Sequence, residues 1–435
     1  MKMTVAPAPH LRRIGLALTI TTLGLIAFAT LRPGPPGPTE SPFCVICGSY
    51  GTVDVILNIV LFIPLGIGLA LTGVSERRAL LAMCALSAMI ETAQLLFIPG
   101  RDATFRDVLT NTLGGAVGLA LAWHADLLLR PPPRIARSLA LGWAAIWLVV
   151  QVVSNFGFAI TLPSSDYYGQ IGRLLGGFDL FPGKVLSARV GSVSLPNTAL
   201  EESRTVQSLL LAGATLAATV VPDEPTRRIA PIVRIADETK KEIVLLAQDG
   251  DLLVFTVRTG ASVLRLRPPL FGLPGAFLLR EPEPSAGDSL TVSGRYTRGE
   301  VELESQSRSD NRANRIPVAA SLGWTLWLPF PWLIEGTLAE RTVSWLWVAF
   351  LVIPLGYWAI QTKDPSESDR AGWHWSAIVV TVTFLGAGFL LLPYLFGLPP
   401  APLDVWIAAS GGLIFGLVLG GFAGRFSAVL NSVPG

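Results

Sequence analysis

Charge is scarce in this chain, and so are the residues on which most soluble catalysis rests. Only 15% of its 435 residues are charged, 51% are hydrophobic, and mean hydropathy is +0.54. That composition excludes an ordinary soluble protein of this size and places the chain in a bilayer. The formal net charge is +2, without the clustered basic face that nucleic-acid binding requires. Three histidines and three cysteines do not assemble into a zinc-binding pattern, and no metal site is expected. No G-x-S-x-G, P-loop or dinucleotide fingerprint occurs, which argues against the familiar hydrolase, ATPase and dehydrogenase mechanisms. No cofactor is indicated.

What the chain does have is long apolar runs. A spanning helix needs about 20 mostly apolar residues, and eight runs qualify: Ile14–Leu31, Val53–Leu71, Ala79–Phe97, Val108–Leu129, Leu139–Phe156, Val343–Ile360, Trp375–Leu395 and Val405–Phe422. The first reads as an uncleaved anchor, although Arg12–Arg13 ahead of it, with Ala27 and Ala29 near its end, also fits a signal peptide. Lys2, Arg12, Arg13, Arg77, Arg78, Arg130, Arg134, Arg137, Lys363, Arg370 and Arg425 fall in alternate connections. By the positive-inside rule those connections and both termini are cytoplasmic, so residues 157–342 are extracytoplasmic. The expected location is the cell (cytoplasmic) membrane. His10, His124 and His374 lie near the cytoplasmic helix ends.

Between the fifth and sixth runs the period changes from helical to alternating. Glu242-Ile-Val-Leu-Leu-Ala247 and Leu252-Leu-Val-Phe-Thr-Val257 flank Asp249-Gly250, a strong hairpin signal because both turn positions favour positive φ. Short strands punctuated by Gly and Pro predict a two-sheet, jelly-roll-like sandwich over 158–320. The rhythm of Leu252–Arg258 followed by Leu264-Arg-Leu-Arg-Pro-Pro269 resembles concanavalin or laminin-G domains. Residues 162–319 hold 18 basic and 18 acidic side chains, a balance that suits neutral glycan better than an anion. Leu322-Gly-Trp-Thr-Leu-Trp-Leu-Pro-Phe-Pro-Trp-Leu333 is too short to span and reads, within 321–342, as an interfacial Trp/Pro segment. The expected division is therefore a five-helix membrane domain over 1–157, the sandwich, that interfacial segment, and a three-helix region over 343–435.

Polar side chains inside spans are expensive and each needs a reason. The second span carries Asp54 and, one turn deeper, Asn58. The third carries Ser87, Glu91 and Gln94 on one face, and the fourth opens with Asp107 and Asn111, followed by Gly114 and Gly118, which permit close helix approach. The predicted topology brings these ends to the outer side. Glu91 then lies roughly 9 Å, and Asn58 and Asn111 about 6 Å, inside their helix ends. One polar pocket opening to the outer leaflet is expected. Arg101, with Asp102 and Arg106, lies in the loop above, where a guanidinium could hold phosphate or pair with Glu91 or Asp107. The same residues could instead simply lock three helices together. Cys44-Val-Ile-Cys47 on an outer loop fits a local disulfide, half of a metal site or a redox pair. Cys84, in the third span, is expected to be buried and inert.

Asp54-x3-Asn58-x3-Phe62-x-Pro64-Leu-Gly66, Ser87-x3-Glu91-x2-Gln94, Arg101, and Asp107-x3-Asn111-Thr-x-Gly114 with Gly118 together resemble the VanZ-like family over residues 15–130. The family is named after a teicoplanin-resistance protein. The resemblance implies a bacterial envelope membrane protein, sometimes linked to glycopeptide resistance, with no assigned reaction. The sandwich and C-terminal helices depart from the family's minimal architecture. Three functions follow as expectations. The pocket residues Asp54, Asn58, Ser87, Glu91, Gln94, Arg101, Asp107 and Asn111 bind a lipid-linked glycan or other amphiphile while the sandwich binds glycan or envelope polysaccharide. Alternatively, Glu91 acts as general acid or base on such a precursor, with Asp107 and Asp54 as partner carboxylates or metal ligands and Arg101 neutralising phosphate, or the protein is an envelope scaffold.

Overall fold

A computed structural model of the chain describes residues 8–33, 43, 48–101, 103–175, 177–278, 289–308, 310–362, 381 and 383–431, the last eight by backbone. Cys44, Cys47, Asp102, Lys363, Arg370, most of the proline-rich connector at 32–39 and much of the Trp375–Leu395 run lie outside the described residues. The chain divides into two compact units. One comprises Met1–Leu141, Gly356–Ser366 and Gly416–Gly435, and the other Gly142–Leu355 and Glu367–Phe415.

The first unit is built on α1 (Pro9–Thr30), α2 (Gly51–Thr72), α3 (Glu76–Phe97), α4 (Phe105–Trp123) and the short α5 (Ala125–Leu129). Its core contains Ile26, Phe62, Leu65, Met83, Ile90 and Leu119. The α2 and α4 backbones touch. A Cβ at Gly66 would strike the Gly115 carbonyl, one at Gly114 the Ile59 carbonyl, and one at Gly118 the Ile63 carbonyl. Small residues at these positions allow the close packing by which helices associate in lipid, where apolar side chains gain nothing by leaving the acyl chains. Cys84 is exposed on α3, contrary to expectation. The inward face of that helix is set by Met83, Ser87, Ile90 and Glu91, and Cys84 turns away from it.

The second unit holds the sandwich and four helical segments. The sheets run β1 (Tyr167–Ile171), β5 (Ala230–Asp237), β6 (Glu242–Asp249), β7 (Leu252–Val257), β8 (Leu270–Leu273), β12 (Leu333–Ile334), and β11 (Asn311–Pro317), β10 (Glu300–Gln306), β9 (Leu290–Thr297), β4 (Leu216–Val221), β2 (Lys184–Val190), β3 (Val193–Ser194). Two short helices, α7 (Ser203–Leu211) and α8 (Gly260–Val263), interrupt the strands. The sheets meet where the Phe255 ring lies over Gly294 and where Phe271 meets Tyr296 edge-on at 5.8 Å. The hairpin is present, one residue later than expected: Asp249 still pairs with Leu252, which leaves Gly250 and Asp251 as the turn. Gly250 takes φ +62° and Asp251 does not join it, as a turn with glycine first requires. Leu264–Pro269 forms no strand.

Two further differences concern boundaries. The helix α6 (Pro133–Phe158) contributes Trp147 to a core with Val348, Val352, Leu385, Phe389, Val405 and Ala409. From Gly142 onward it therefore groups in the second unit with the part of helix α9 (Leu338–Ile360) up to Leu355, with Thr383–Leu395, and with the part of the last helix (Leu403–Asn431) up to Phe415. The Trp/Pro segment is a 3-10 helix over Ala320–Trp327 followed by β12, which pairs in parallel with β8. Sheet pairing thus carries the sandwich past residue 320. The Trp324 indole is buried and donates to Ser344 Oγ at 3.0 Å. A reciprocal cap starts α9: Thr337 N–H donates to Glu340 Oε2 at 2.9 Å while Glu340 N–H donates to Thr337 Oγ1 at 3.3 Å.

There is no linker between α6 and the sandwich. Ile160 already bridges Thr259, Gly260 N–H donates to the Ala159 carbonyl at 2.9 Å, and Tyr296 Oη donates to the Phe158 carbonyl at 2.6 Å. Burial raises the Tyr296 phenol far above its ordinary range, so it remains a donor.

Six described helices are long and apolar enough to cross a membrane: α1, α2, α3, α6, α9 and Leu403–Ala423. Eight were expected. Helix α4 carries Arg106, Asp107, Thr110, Asn111 and Thr112 in its 19 residues, and the described part of the seventh run, Thr383–Leu395, is short.

Two outcomes are expected. Gly118→Leu lowers the unfolding midpoint of the purified full chain in detergent, through a loss of ~1–3 kcal/mol of unfolding free energy at the overpacked contact. Gly24→Leu, where a Cβ meets nothing within 4 Å, leaves it unchanged. In the sandwich, burial opposes ionisation of Asp237, but hydrogen bonds from Thr239, the Lys241 N–H and Arg258 outweigh it and hold its pKa below the ordinary value. A depressed carboxylate stabilises the fold above its unfolded value of ~3.9, and that stabilisation is lost as pH falls through the folded value. Thermal melts between pH 6 and ~3 should therefore show a steeper acid loss in wild type than in Asp237→Asn.

Candidate functional site

The polar side chains of α2, α3 and α4 meet where α4 begins. Thr104 caps that helix by accepting the Asp107 N–H on its Oγ1 at 3.2 Å. This fixes the first turn, on which Arg106 and Asp107 sit. Asp107 Oδ1 accepts from Asn58 Nδ2 of α2 at 2.9 Å and from Arg106 Nε at 2.9 Å. Both side chains of the ion pair are largely buried, at 6% and 17% exposure. One turn further, Asn111 Nδ2 donates to Ser87 Oγ of α3 at 2.9 Å, and Ser87 Oγ in turn donates to the Asp107 carbonyl at 3.5 Å. Asn58, Ser87, Asp107 and Asn111 therefore form one hydrogen-bonded knot across three helices.

Glu91 adjoins this knot from α3. Its Oε2 accepts the Thr104 N–H at 2.8 Å, while its Oε1 takes no hydrogen bond from the described residues. Asn111 Oδ1 is likewise buried without a protein partner. The other members of the cluster satisfy neither of these two acceptors.

Two expected pocket residues turn elsewhere. Gln94 Nε2 donates to the Thr30 carbonyl at 2.9 Å, and Arg101 donates through Nε to the Arg32 carbonyl at 3.1 Å and through Nη2 to the Ala29 carbonyl at 3.2 Å. Both satisfy the open carbonyls at the C-terminus of α1. The guanidinium paired with Asp107 is that of Arg106, which sequence reasoning placed only in the covering loop. Thr104 was overlooked, although Thr104-x-x-Asp107 ahead of an apolar run is a recognisable capping pattern. Asp54 is half-buried one turn before Asn58. Among the described residues no group of three or more His, Cys, Asp or Glu is placed to hold a metal.

The sandwich carries a second feature. The outer face of its β4–β9–β10 region forms an open cleft of about 560 Å³ lined by Arg189, Thr291, Ser293, Arg295, Glu304 and Gln306 among others, with no aromatic side chain.

Residues 10–129 match the family model VanZ/LLP1. The match covers α1 to α5 and with them every residue of the knot. No curated protein and no solved structure matches the chain. With its apolar helices, this match makes the chain a multi-pass membrane protein with a VanZ-like N-terminal part, as the residue pattern implied.

Removing one member of a buried ion pair leaves an uncompensated charge, which costs ~3–5 kcal/mol. Asp107→Ala should lower the unfolding free energy by an amount in that range, and Asn58→Leu by only ~1 kcal/mol, the net value of a neutral hydrogen bond. Equal effects in denaturant titration would show that Asp107 is not the hub.

Proposed function

We propose that the cluster at the start of α4 is an outer-leaflet site for the polar part of an envelope amphiphile, a lipid-linked glycan in the first instance. The observation that carries this reading is the spare acceptor pair, Glu91 Oε1 and Asn111 Oδ1, beside a knot whose other members bond to one another. Acceptors of this kind select donors, and the hydroxyl and amide groups of a glycan supply them. A phosphate offers no donor when ionised, and Arg101, the cation expected to receive it, bonds to the α1 carbonyls. In this reading Asn58, Ser87, Arg106 and Asp107 hold three helices in register, and Glu91 with Asn111 meets the ligand. The sandwich lies on the extracytoplasmic side, as the distribution of Lys and Arg indicates. A concanavalin- or laminin-G-like role for it is supported by its two facing sheets and its polar cleft. Glycan binding there adds affinity through effective concentration.

The knot itself favours a second reading, in which the cluster only clamps the helices. Acid/base catalysis by Glu91 is the third, with Asp107 as a positioning partner because its Oδ1 already accepts two hydrogen bonds. An envelope scaffold role assigns function to the sandwich instead.

Mass spectrometry of envelope lipids copurifying with the protein separates these readings. Wild type should retain a lipid-linked glycan selectively, and Glu91→Gln, with an unchanged melting temperature, should retain about tenfold less, ~1.4 kcal/mol. Conversion of added precursor by wild type, with Glu91→Gln binding but not converting it, would make the protein an enzyme. A folded Glu91→Gln indistinguishable from wild type in both respects would leave the clamp.

A further inference from the structure

Helix α6 carries a polar seam that none of these functions uses. Trp147, Gln151, Ser154 and Asn155 occupy positions i, i+4, i+7 and i+8, one face of the helix, and each is 3% exposed or less. Trp147 Nε1, Gln151 Oε1, Ser154 Oγ and Asn155 Oδ1 are all buried without a hydrogen-bond partner among the described residues. The Asn155 amide is oriented by its own donor, because Nδ2 bonds to the Gln151 carbonyl at 2.8 Å. Its Oδ1 must therefore accept from something else.

The surroundings are built to approach this face. Gly388 lies against the Trp147 ring and Gly323 against the Ser154 side chain, and a Cβ at either would overlap its neighbour. Gly388 belongs to a π-helical turn over Ala387–Leu391, an irregularity that appears frequently at functional sites.

The chemistry of the seam narrows its occupant. It contains donors, the Trp147 indole and the Ser154 hydroxyl, and acceptors, the Gln151 and Asn155 amide oxygens, with no ionisable group. A cation would satisfy only the acceptors and an anion only the donors. Water does both, and a buried water typically makes about three hydrogen bonds. From residue 147 to 155 the helix rises roughly 12 Å, so the four groups are spread along one line of the helix. The near-complete burial of all four side chains leaves no mouth for a lipid headgroup.

We infer that the α6 face formed by Trp147, Gln151, Ser154 and Asn155 is an internal hydration site, where ordered water links the indole to the Asn155 amide within a membrane-crossing helix. Polar paths of this kind inside spanning helices are where ions and protons move in membrane proteins.

Radiolytic hydroxyl-radical footprinting of the full chain in nanodiscs, in 18O-labelled water, tests this directly. Radicals form from water, so a sealed indole is modified only when water sits beside it. Trp147 should be modified at a rate within about threefold of Trp332, which is 37% exposed, and in a Gln151→Leu/Asn155→Leu variant its labelling should fall about tenfold with Trp332 unchanged. Should that variant fail to fold, wild type decides alone. A Trp147 as inert as the sealed Phe158 overturns the inference, whether the seam is dry or filled by lipid.

Discussion

The backbone contact between α2 and α4 is the constraint from which the candidate site follows. Three glycines let the two helices approach until carbonyl groups occupy the space of missing methyls. Only at that separation does the Asn58 amide reach Asp107. Hydrophobic side chains cannot drive such contact in lipid, so close packing and interhelical hydrogen bonds act together. The glycines bring the polar groups within reach, and the polar groups fix the rotation of each helix about its axis.

The two units treat intramembrane polarity differently. In the first, nearly every polar side chain is answered by another: an amide by a carboxylate, an amide by a hydroxyl, a carboxylate by the N–H of a capped helix start. The acceptors Glu91 Oε1 and Asn111 Oδ1 take no hydrogen bond from the described residues. In the second, one buried polar atom on each of four α6 side chains has no hydrogen-bond partner among the described residues. The same physical cost is met by protein in one place and calls for solvent in the other.

Much of this was legible in the sequence, for identifiable reasons. Polar residues interrupting apolar runs stand out, so Asn58, Ser87, Glu91, Asp107 and Asn111 could be named and assigned to helix faces. Which cation would pair with Asp107 was not legible, because it depends on how the loop after α3 turns: that path sends Arg101 to the end of α1 and tucks Arg106 under the first turn of α4. The β6–β7 hairpin could be read from Asp249-Gly250, but its register is set by which two residues form the turn: Gly250 and Asp251, with Asp249 paired to Leu252. Strand β12 is only two residues long and pairs with a partner some sixty residues away, beyond the reach of any local period. Gln151, Ser154 and Asn155 gave the same signal as Glu91 and were passed over because they lie outside the family pattern.

The junction of α6 with the sandwich has a mechanical meaning. A flexible tether would let the sandwich rotate freely about its helix. Here the last helical carbonyl is gripped by Tyr296 of β9, and two residues later the chain is bridged to Thr259, just past the end of β7. Torque applied to the sandwich is thus delivered to α6 without slack, and the helix that receives it is the one whose buried face lacks protein partners. A load on the sandwich would be felt first along that seam.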